Sequence, residues 1–518
     1  MKDLSMTKHS LQTSLLLAST VILLGILFFW TRSTPLIIVI PETALIDEPV
    51  EISVTNLTPN ARITIEAACK NKDNDLWKSY ATFQANDKGI VNLTTQASIE
   101  GSYKGIDPMG LIWSMAPTDR EILKKLPNTF NFNEVSLSVI VDDKVQAKKT
   151  IHRLAVLPNV EKRTIREQGL VGTLFYPKSV HHGPGIIVVA GSGGRIPEGL
   201  AQLFASHGYA VFALGYFGVE GLPEKLKNIP LEYFKTAMQW FKRQPQVDNN
   251  RIAICGNSRG GELVLLLAST FPQEMQAVIA YTPSGIAAAG SWTYKNESIP
   301  GIKQPSDEEE REAAQQGLIV AHKGTFEDPE ESTSQIMWAF LKKATPEEIA
   351  AATIPVENIR CPILLISGED DRVWPSTLFS RMVTERLDKK KSAIVRKHLQ
   401  FPSAGHGVQN PYWPSSSFPY FHPRAKVWST LGGTAEGNAR ANEQAWAGVL
   451  EFLKKSLGTP ASLSPWQHSV EQAFVVKKSG QIEAKDKAGV LIILEWQKTN
   501  VHEPVYAHIM RSVSSNSR

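Results

Sequence analysis

Residues 251–268 read RIAICGNSRGGELVLLLA, and they predict the architecture of the larger part of the chain. Residues 251–255 fit a buried strand, the pentapeptide G-x-S-x-G follows, and residues 262–268 have the composition of an apolar helix. The glycines on either side of Ser258 permit a turn too tight for larger side chains, and such a turn lifts a serine hydroxyl off the end of a sheet. The stretch therefore predicts a strand–turn–helix with Ser258 as a nucleophile; the alternative is an ordinary strand-to-helix turn.

Apolar runs on both sides of this stretch predict further strands of a parallel sheet. Each run fits a strand buried on both faces, and helical stretches lie between the runs. The predicted strands are residues 185–190, 209–214, 251–255, 276–281 and 362–367. Strands alternating with helices are typical of a doubly wound, mostly parallel α/β sheet, and the turn around the serine makes the α/β-hydrolase class the expectation.

We assign residues 156–458 to this α/β-hydrolase domain, with a helical insertion over about 290–352. Ser306–Glu309 has the pattern of a capping box, and Thr345–Glu348 carries a proline that suits the first turn of a helix. Residues 459–518 form a C-terminal tail whose pattern indicates no role.

Residues 36–155 show a different pattern, in which apolar and polar residues alternate over short segments. The clearest examples are residues 49–55, 61–67, 89–94 and 135–141. Alternation with a period of two is typical of strands that bury one face. The spacing of the segments predicts an immunoglobulin-like antiparallel β-sandwich before the α/β-hydrolase domain.

Residues 1–35 contain the one strongly apolar segment of the chain. Residues 11–30 carry no charge, and a helix of 20 residues spans about 30 Å, the thickness of a bilayer core. No small-residue cleavage site follows, so we expect an uncleaved anchor, with a signal peptide or a buried core helix as alternatives. Lys2 and Lys8 precede the segment, which predicts a cytoplasmic N-terminus and an extracytoplasmic catalytic body.

The composition excludes several classes of protein. Of 518 residues 42% are hydrophobic and 20% charged, which is ordinary for a globular chain and excludes a disordered one. The 55 basic and 51 acidic residues give a formal charge of +4, so we expect no nucleic-acid partner. Cys69, Cys255 and Cys361 are too few for a disulfide scaffold, and without a C-x-x-C pair we expect no metal site. No motif calls for a cofactor.

An activated serine needs a histidine base and an acid, which follow it in the chain in the order acid, histidine. The segment GEDDRVWP after the last buried run offers Asp370 and Asp371, and the Gly-x-x-Asp spacing favours Asp371. Further on, PSAGHG puts His406 on a glycine-flanked loop that can reach over the edge of the sheet. The other histidines, including His398 and His422, are interpreted as surface or satisfied core residues.

Acyl transfer from a serine also needs N–H donors aimed at the oxyanion of the tetrahedral intermediate. We expect one donor in the backbone N–H of Arg259, directly after the nucleophile. The others should come from the loop after residues 185–190, namely Gly191, Ser192 and Gly193. This loop lacks the lysine and the spacing of a phosphate-binding loop, so we do not assign it to a nucleotide.

Taken in order, these segments resemble the acyl-CoA thioesterase and bile-acid-CoA:amino acid N-acyltransferase family over about residues 40–458. The matched segments are GSYKGIDPMGLIW (101–113), GLPEKLKNIPLEYF (221–234), GNSRGGEL (256–263), GEDDRVW (368–374), GH (405–406) and PYWP (411–414). The resemblance implies thioester cleavage through an acyl-serine intermediate, with Ser258 as nucleophile, Asp371 as orienting acid and His406 as base and then acid. Amino-acid-conjugating members are known for a cysteine nucleophile, so the serine favours hydrolysis.

The resulting expectation is an enzyme that cleaves fatty-acyl-CoA to free acid and CoA. Two alternatives remain open at this point. An extracytoplasmic serine carboxylesterase of the dienelactone-hydrolase type would fit the expected anchor, because a body outside the cytoplasm would meet little CoA. An acyl-CoA:amino acid N-acyltransferase would fit the family. The expected partners are a small acyl thioester or ester and, through the N-terminal helix, a membrane.

Overall fold

The computed structural model describes residues 36–460, apart from 72, 126–132, 416–418 and most of 304–340, together with three short backbone segments in the tail. The apolar run at 11–30 and the predicted helix start at Ser306–Glu309 lie outside the described residues. In the tail, Val475–Val476, Gln481–Lys485 and Leu491–Glu495 pair as an antiparallel sheet.

An eight-stranded, mostly parallel sheet forms the centre of the larger part of the chain. Its strands are β1 (Val160–Glu167), β2 (Leu170–Pro177), β3 (Gly183–Val189), β4 (Ala210–Gly215), β5 (Val247–Asn257), β6 (Ala277–Tyr281), β7 (Ile363–Gly368) and β8 (Arg396–Phe401). They lie in the order β1-β2-β4-β3-β5-β6-β7-β8, with β2 antiparallel to both of its neighbours and the other pairs parallel. This topology confirms the predicted α/β-hydrolase class.

Helices cover both faces of this sheet. The helices that pack on it are α1 (Glu198–Ser206), α2 (Leu231–Lys242), α3 (Arg259–Thr270), α5 (Ser376–Lys389) and α6 (Ala435–Leu457); the short helix α4 (Pro346–Ala352) belongs to a separate apolar cluster, and a 3-10 helix lies at Val356–Asn358. Successive residues of β3 alternate between the two cores: Ile187 packs with α2, α3 and α5, and Ile186 packs with α1 and α6. A strand buried on both faces is therefore apolar without a break, which is why it was recognisable in the sequence.

Within the predicted insertion, the structure describes the start of α4 and two short strands. Thr345 caps α4 by accepting from the N–H of Glu348, whose side chain in turn accepts from the N–H of Thr345. Pro346 occupies the first helical position, as the sequence predicted. Trp292–Tyr294 pairs with Glu297–Ser298 and with Ile229–Pro230.

Two sheets before residue 155 share one apolar core, as the predicted β-sandwich requires. One contains Thr43–Leu45, Lys144–Leu154, Glu134–Val141, Arg62–Lys70, Leu76–Gln84, Glu100–Gly101 and Ala116–Pro117, and the other Ile37–Val39, Ser53–Thr55 and Val91–Asn92. Short helices lie at Gly110–Trp113 and Arg120–Lys125. The pairings are antiparallel except that Thr43–Leu45 lies parallel to Lys144–Leu154. The residue boundaries assigned to the two domains and the tail stay predictions.

The predicted N-terminal membrane anchor is contradicted. A spanning helix needs about 20 predominantly apolar residues. The longest described helix, α6, has 23 residues, but Glu436, Arg440, Lys454 and other charged residues are distributed along it. In the described part of the chain no helix is both long and apolar enough to cross a bilayer, and the run at 11–30 lies outside that part. We withdraw the anchor, the membrane partner and the extracytoplasmic location.

Candidate active site

Ser258 lies in the tight turn between β5 and α3. Its φ of 56° and ψ of −123° place it in a backbone conformation that L-residues rarely adopt. Its N–H donates to the carbonyl of Tyr281 at 2.9 Å, which ties the turn to the end of β6. A Cβ at Gly256 would lie 2.2 Å from the Gly260 carbonyl oxygen, so only glycine fits there. Such strain is typical of functional sites, where the surrounding structure holds it in place.

Asp371 and His406 lie side by side at the same edge of the sheet. His406 Nδ1 is 2.8 Å from Asp371 Oδ2, and the aspartate side chain is almost completely buried. The other carboxylate oxygen, Oδ1, accepts from the backbone N–H groups of Val373 at 2.9 Å and Trp374 at 3.2 Å. Because these donors fix the carboxylate, Asp371 can hold the imidazole with Nε2 directed away from it.

Trp374 and Thr282 connect this pair to the serine turn. The ring of Trp374 packs edge-on against that of His406 at 5.6 Å, and its Nε1 donates to the carbonyl of Thr282 at 2.9 Å. Thr282 follows Tyr281, whose carbonyl accepts from Ser258. Among the described residues the Ser258 hydroxyl has no hydrogen bond, so the structure brings Asp371 and His406 into contact but does not join Ser258 to His406. Such contacts are often long before substrate binds.

Asp370, the alternative acid, has different partners. Its carboxylate contacts Arg372 Nε at 2.6 Å and accepts from the N–H of Gly433 at 2.9 Å. Its side chain is 39% exposed, compared with 1% for Asp371. Asp370 is therefore a partly solvated loop charge that supports the Gly432–Gly433 turn.

The loop after β3 runs beside the serine. A Cβ at Gly191 would lie 3.0 Å from Ser258 Cβ and 3.6 Å from Oγ, so the backbone passes next to the hydroxyl. Gly193 and Gly194 continue the loop, and Gly194 has φ of +59°. The N–H of Arg259 is at the first turn of α3, where N–H groups lack acceptors inside the helix and the dipole favours negative charge. Of the predicted oxyanion donors, Arg259 and Gly191 thus lie beside Ser258.

A buried ion pair below the turn was missed by the sequence reasoning. Arg259 Nη1 contacts Glu262 Oε2 at 2.6 Å, and the Glu262 side chain is fully buried. Its other oxygen accepts from the Ala288 N–H at 3.0 Å and from Trp292 Nε1 at 2.8 Å. The Arg259 guanidinium also lies 4.9 Å from the Trp374 ring centroid. Glu262 therefore joins α3 to the segment after β6.

A hairpin over the loop after β3 was also missed. Tyr420–Phe421 pairs with Trp428–Ser429, and we call the segment between and including them the 420–429 hairpin. His422 Nε2 lies 2.9 Å from Ser192 Oγ, and Arg424 bonds the carbonyls of Gly193 and Gly194 at 3.4 and 3.2 Å. Since 230 residues separate Ser192 from His422, no local pattern could reveal this contact.

The cysteines and metal-binding side chains offer no competing chemistry in the described part of the chain. Cys69, Cys255 and Cys361 are all buried with free thiols. Burial raises the pKa of the Cys255 thiol and raises those of Cys69 and Cys361 to about 12, so none is a reactive thiolate near neutral pH. Among the described residues no three histidine, cysteine, aspartate or glutamate side chains group as metal ligands.

The sheet order and the strained turn after β5 define an α/β-hydrolase. The chain belongs, more narrowly, to the acyl-CoA thioester hydrolase and bile-acid-CoA:amino acid N-acyltransferase family, which confirms the resemblance seen in the sequence. The family's N-terminal region matches residues 47–167 and its C-terminal region matches residues 229–459. By class the protein is a hydrolase.

Individual relatives match over most of the chain. Mouse "Acyl-coenzyme A thioesterase 2, mitochondrial" is 30% identical over 83% of this chain and 91% of its own length. Mouse "Acyl-coenzyme A amino acid N-acyltransferase 1" is also 30% identical, over 81% of this chain and 97% of its own. Among solved structures, a Pyrobaculum calidifontis esterase aligns with a TM-score of 0.34 at 15% identity, over 58% of this chain and 86% of that one.

Proposed function

We propose that the protein hydrolyses acyl-CoA thioesters to a free acid and CoA through an acyl intermediate on Ser258. The observation that carries the proposal is the 2.8 Å contact between His406 and Asp371 beside the strained serine turn. Family membership supports the substrate class, since two mouse relatives named as acyl-CoA thioesterases match over 83% and 80% of this chain.

Acylation uses His406 as the base. Ser258 Oγ attacks the thioester carbonyl carbon while its proton passes to His406 Nε2, and Asp371 stabilises the resulting imidazolium through Nδ1–H. The carbonyl oxygen becomes an oxyanion, which the N–H of Arg259 and those of the loop at Gly191–Gly193 stabilise. When the carbonyl re-forms, the C–S bond breaks, and His406 returns its proton to the CoA sulfur. The products of this half-reaction are free CoA and an ester on Ser258.

Deacylation repeats the sequence with water. His406 Nε2 takes a proton from the water as its oxygen attacks the ester carbonyl, and the same N–H groups stabilise the second oxyanion. The C–Oγ bond then breaks, the proton on His406 returns to Ser258 Oγ, and the carboxylic acid leaves. The enzyme is regenerated without oxidation or reduction, and the reaction uses one water for each thioester.

An apolar cluster next to the base supports a fatty acyl group. It contains Ile286, Ile302, Ala352, Trp374 and Phe379, with Leu341 and Ile349 packed against it. Trp374 belongs both to this cluster and to the contact with His406, so the apolar cluster adjoins the proposed base. Burial of apolar chain yields about 0.8 kcal/mol for each methylene, which would favour long acyl groups over acetyl.

A second candidate is acyl transfer to an amino acid. The observation in its favour is the 30% identity to a mouse amino acid N-acyltransferase over 97% of that protein's length. In this reaction an amine replaces the water of the second step, and the product is an amide. The carboxylesterase alternative has no comparable observation in its favour among the described residues.

The test is product analysis with purified protein and palmitoyl-CoA, with and without glycine or taurine. We expect one free acid for each thiol released and no conjugate, and we expect acyl-CoA to be cleaved with a higher kcat/KM than a p-nitrophenyl ester. A conjugate as the main product would favour the transferase. Cleavage of the ester without thiol release from acyl-CoA would contradict the proposed substrate class.

A further inference from the structure

The 420–429 hairpin fixes both the backbone and a side chain of the loop after β3. Arg424 donates to the carbonyls of Gly193, Gly194 and Gly218, and thereby bridges the loops after β3 and β4. His422 reaches the Ser192 hydroxyl at 2.9 Å. The hairpin therefore sets the position of the one hydroxyl in a loop that otherwise offers backbone N–H groups.

The direction of the His422–Ser192 hydrogen bond follows from the other ring nitrogen. His422 Nδ1 accepts from the backbone N–H groups of Ala425 at 3.0 Å and Arg424 at 3.3 Å. A backbone N–H can only donate, so Nδ1 carries a lone pair and the proton of the neutral ring sits on Nε2. His422 therefore donates to Ser192 Oγ. Burial lowers the pKa of His422, in keeping with a neutral ring.

Ser192 accepts in this contact, which leaves its own proton for a further acceptor. Among the described residues none accepts it. A Cβ on the neighbouring Gly191 would lie 3.6 Å from Ser258 Oγ, so the Ser192 hydroxyl belongs to the segment that runs beside the nucleophile, where the oxyanion would form. A hydroxyl that accepts one hydrogen bond also becomes a better donor, because hydrogen bonds in a chain polarise one another.

We propose that the Ser192 hydroxyl donates a hydrogen bond to the oxyanion of the reacting thioester, and that His422 is the positioning residue that orients it. The proposal rests on the function proposed above and names a side-chain donor in addition to the backbone N–H groups. Ser192 is then a catalytic residue through its side chain. His422 acts through Ser192 and does not touch the substrate.

The first test compares Ser192→Ala with Ser192→Thr, which keeps a hydroxyl. A hydrogen bond to a developing charge is worth enough that its loss should lower kcat roughly 10- to 100-fold in Ser192→Ala. KM should change less than twofold, and Ser192→Thr should recover at least a third of the lost rate. A trifluoromethyl ketone analogue of the acyl thioester forms an oxyanion when Ser258 adds to it. Its binding to Ser192→Ala should be weaker than to the parent by the same factor as kcat/KM is lower.

The second test is a double-mutant cycle with His422→Phe, which keeps the ring volume but offers no donor. If His422 acts through Ser192, the double variant should be no slower than Ser192→Ala alone. His152→Gln is the matched control, since His152 is exposed on a strand of the sandwich and should keep full activity. Equal unfolding temperatures across the series separate these losses from misfolding.

Two results would overturn the proposal. One is a Ser192→Ala variant with kcat within twofold of the parent. The other is a double-mutant cycle in which the rate reductions of Ser192→Ala and His422→Phe multiply. Failure of the proposed function gives a different outcome, because the parent protein would then release no thiol and Ser258 would not react with a fluorophosphonate. A reactive Ser258 with a neutral Ser192→Ala refutes only the role of the hydroxyl.

Discussion

At the scale of single residues, Asp371 and Asp370 are adjacent in the chain but have opposite environments. Asp371 is buried, contacts His406 and accepts two backbone N–H bonds, whereas Asp370 is partly exposed and pairs with Arg372. Replacing either carboxylate by an amide changes the net charge by the same amount, so the two substitutions can be compared directly.

We predict that Asp371→Asn lowers kcat for acyl-CoA hydrolysis by about 10³- to 10⁴-fold, because an amide holds the imidazole in the wrong tautomer. Asp370→Asn should stay within about threefold, since its contacts support a turn and not the base. Steady-state kinetics on both variants provide the measurement. Equal losses in the two variants would show that Asp371 has no special relation to His406.

The pKa of His398 predicts how the folding stability of the protein depends on pH. Burial, together with the nearby Arg381, lowers the pKa of His398 from 6.5 to about 4. The unfolded chain therefore binds a proton at a higher pH than the folded one, and folding stability is lost as pH falls from about 6.5 toward 4. His398→Gln should remove part of this loss. Denaturant unfolding at pH 7 and pH 5 checks it, and an unchanged pH dependence in the variant would contradict it.

The site residues that could be predicted from the sequence are those that lie within a recognisable local pattern. Ser258 lies between a buried strand and an apolar helix, and His406 lies between glycines, so short patterns were enough. Glu262 and His422 have partners 30 and 230 residues away, and their roles depend on packing that no local pattern contains. That Ser258, Asp371 and His406 act together stays a prediction.

At the scale of elements, α3 depends on the buried carboxylate of Glu262. It holds Arg259 at the start of α3 and accepts from Ala288 and Trp292 in the segment after β6. The arrangement keeps the first turn of α3, which includes the predicted oxyanion donor, in a fixed position relative to β6.

Glu262→Gln should lower the free energy of unfolding by about 3 kcal/mol, because it leaves the largely buried Arg259 guanidinium without a counter-charge. It should also reduce kcat, since the first turn of α3 would shift. Glu297→Gln is the control, because Glu297 is exposed. Denaturant unfolding gives the comparison, and a loss under 1 kcal/mol in Glu262→Gln would mean that the pair contributes little.

The elements themselves were largely predictable, since β3, β4, β6 and β7 are apolar runs and β5 contains one at residues 252–255. The ends of the short strands could not be predicted in this way. Residues 49–55 alternate throughout, yet only Ser53–Thr55 is a strand, because pairing partners, and not alternation, decide where a ladder ends.

At the scale of the whole molecule, α6 carries contacts to the region before residue 155. Asp47 Oδ2 accepts from Trp446 Nε1 at 2.8 Å and lies 2.5 Å from His207 Nε2. Asp107 contacts Arg440 at 3.0 Å and accepts from Trp113 Nε1 at 2.6 Å. Both aspartates are buried, so these bonds are shielded from water and couple the two regions.

We predict that the protein unfolds in one cooperative transition and that Asp47→Ala lowers the unfolding free energy by about 2 kcal/mol, because the buried Trp446 N–H and the partly buried His207 N–H lose their acceptor. The exposed Asp87 supplies the control Asp87→Ala. Calorimetry and circular dichroism should give the same midpoint. Two separate transitions in the parent protein would contradict the coupling.

Peptide mass spectrometry after rapid quenching shows whether the acyl group passes through Ser258. The protein is mixed with palmitoyl-CoA and stopped within the first turnovers. We predict that the peptide carrying Ser258 gains one palmitoyl group in place of a proton, and that Ser258→Ala gains none and releases no thiol. Thiol release by Ser258→Ala at the parent rate, with no acylated Ser258 peptide in the parent, would show that the acyl group does not pass through Ser258.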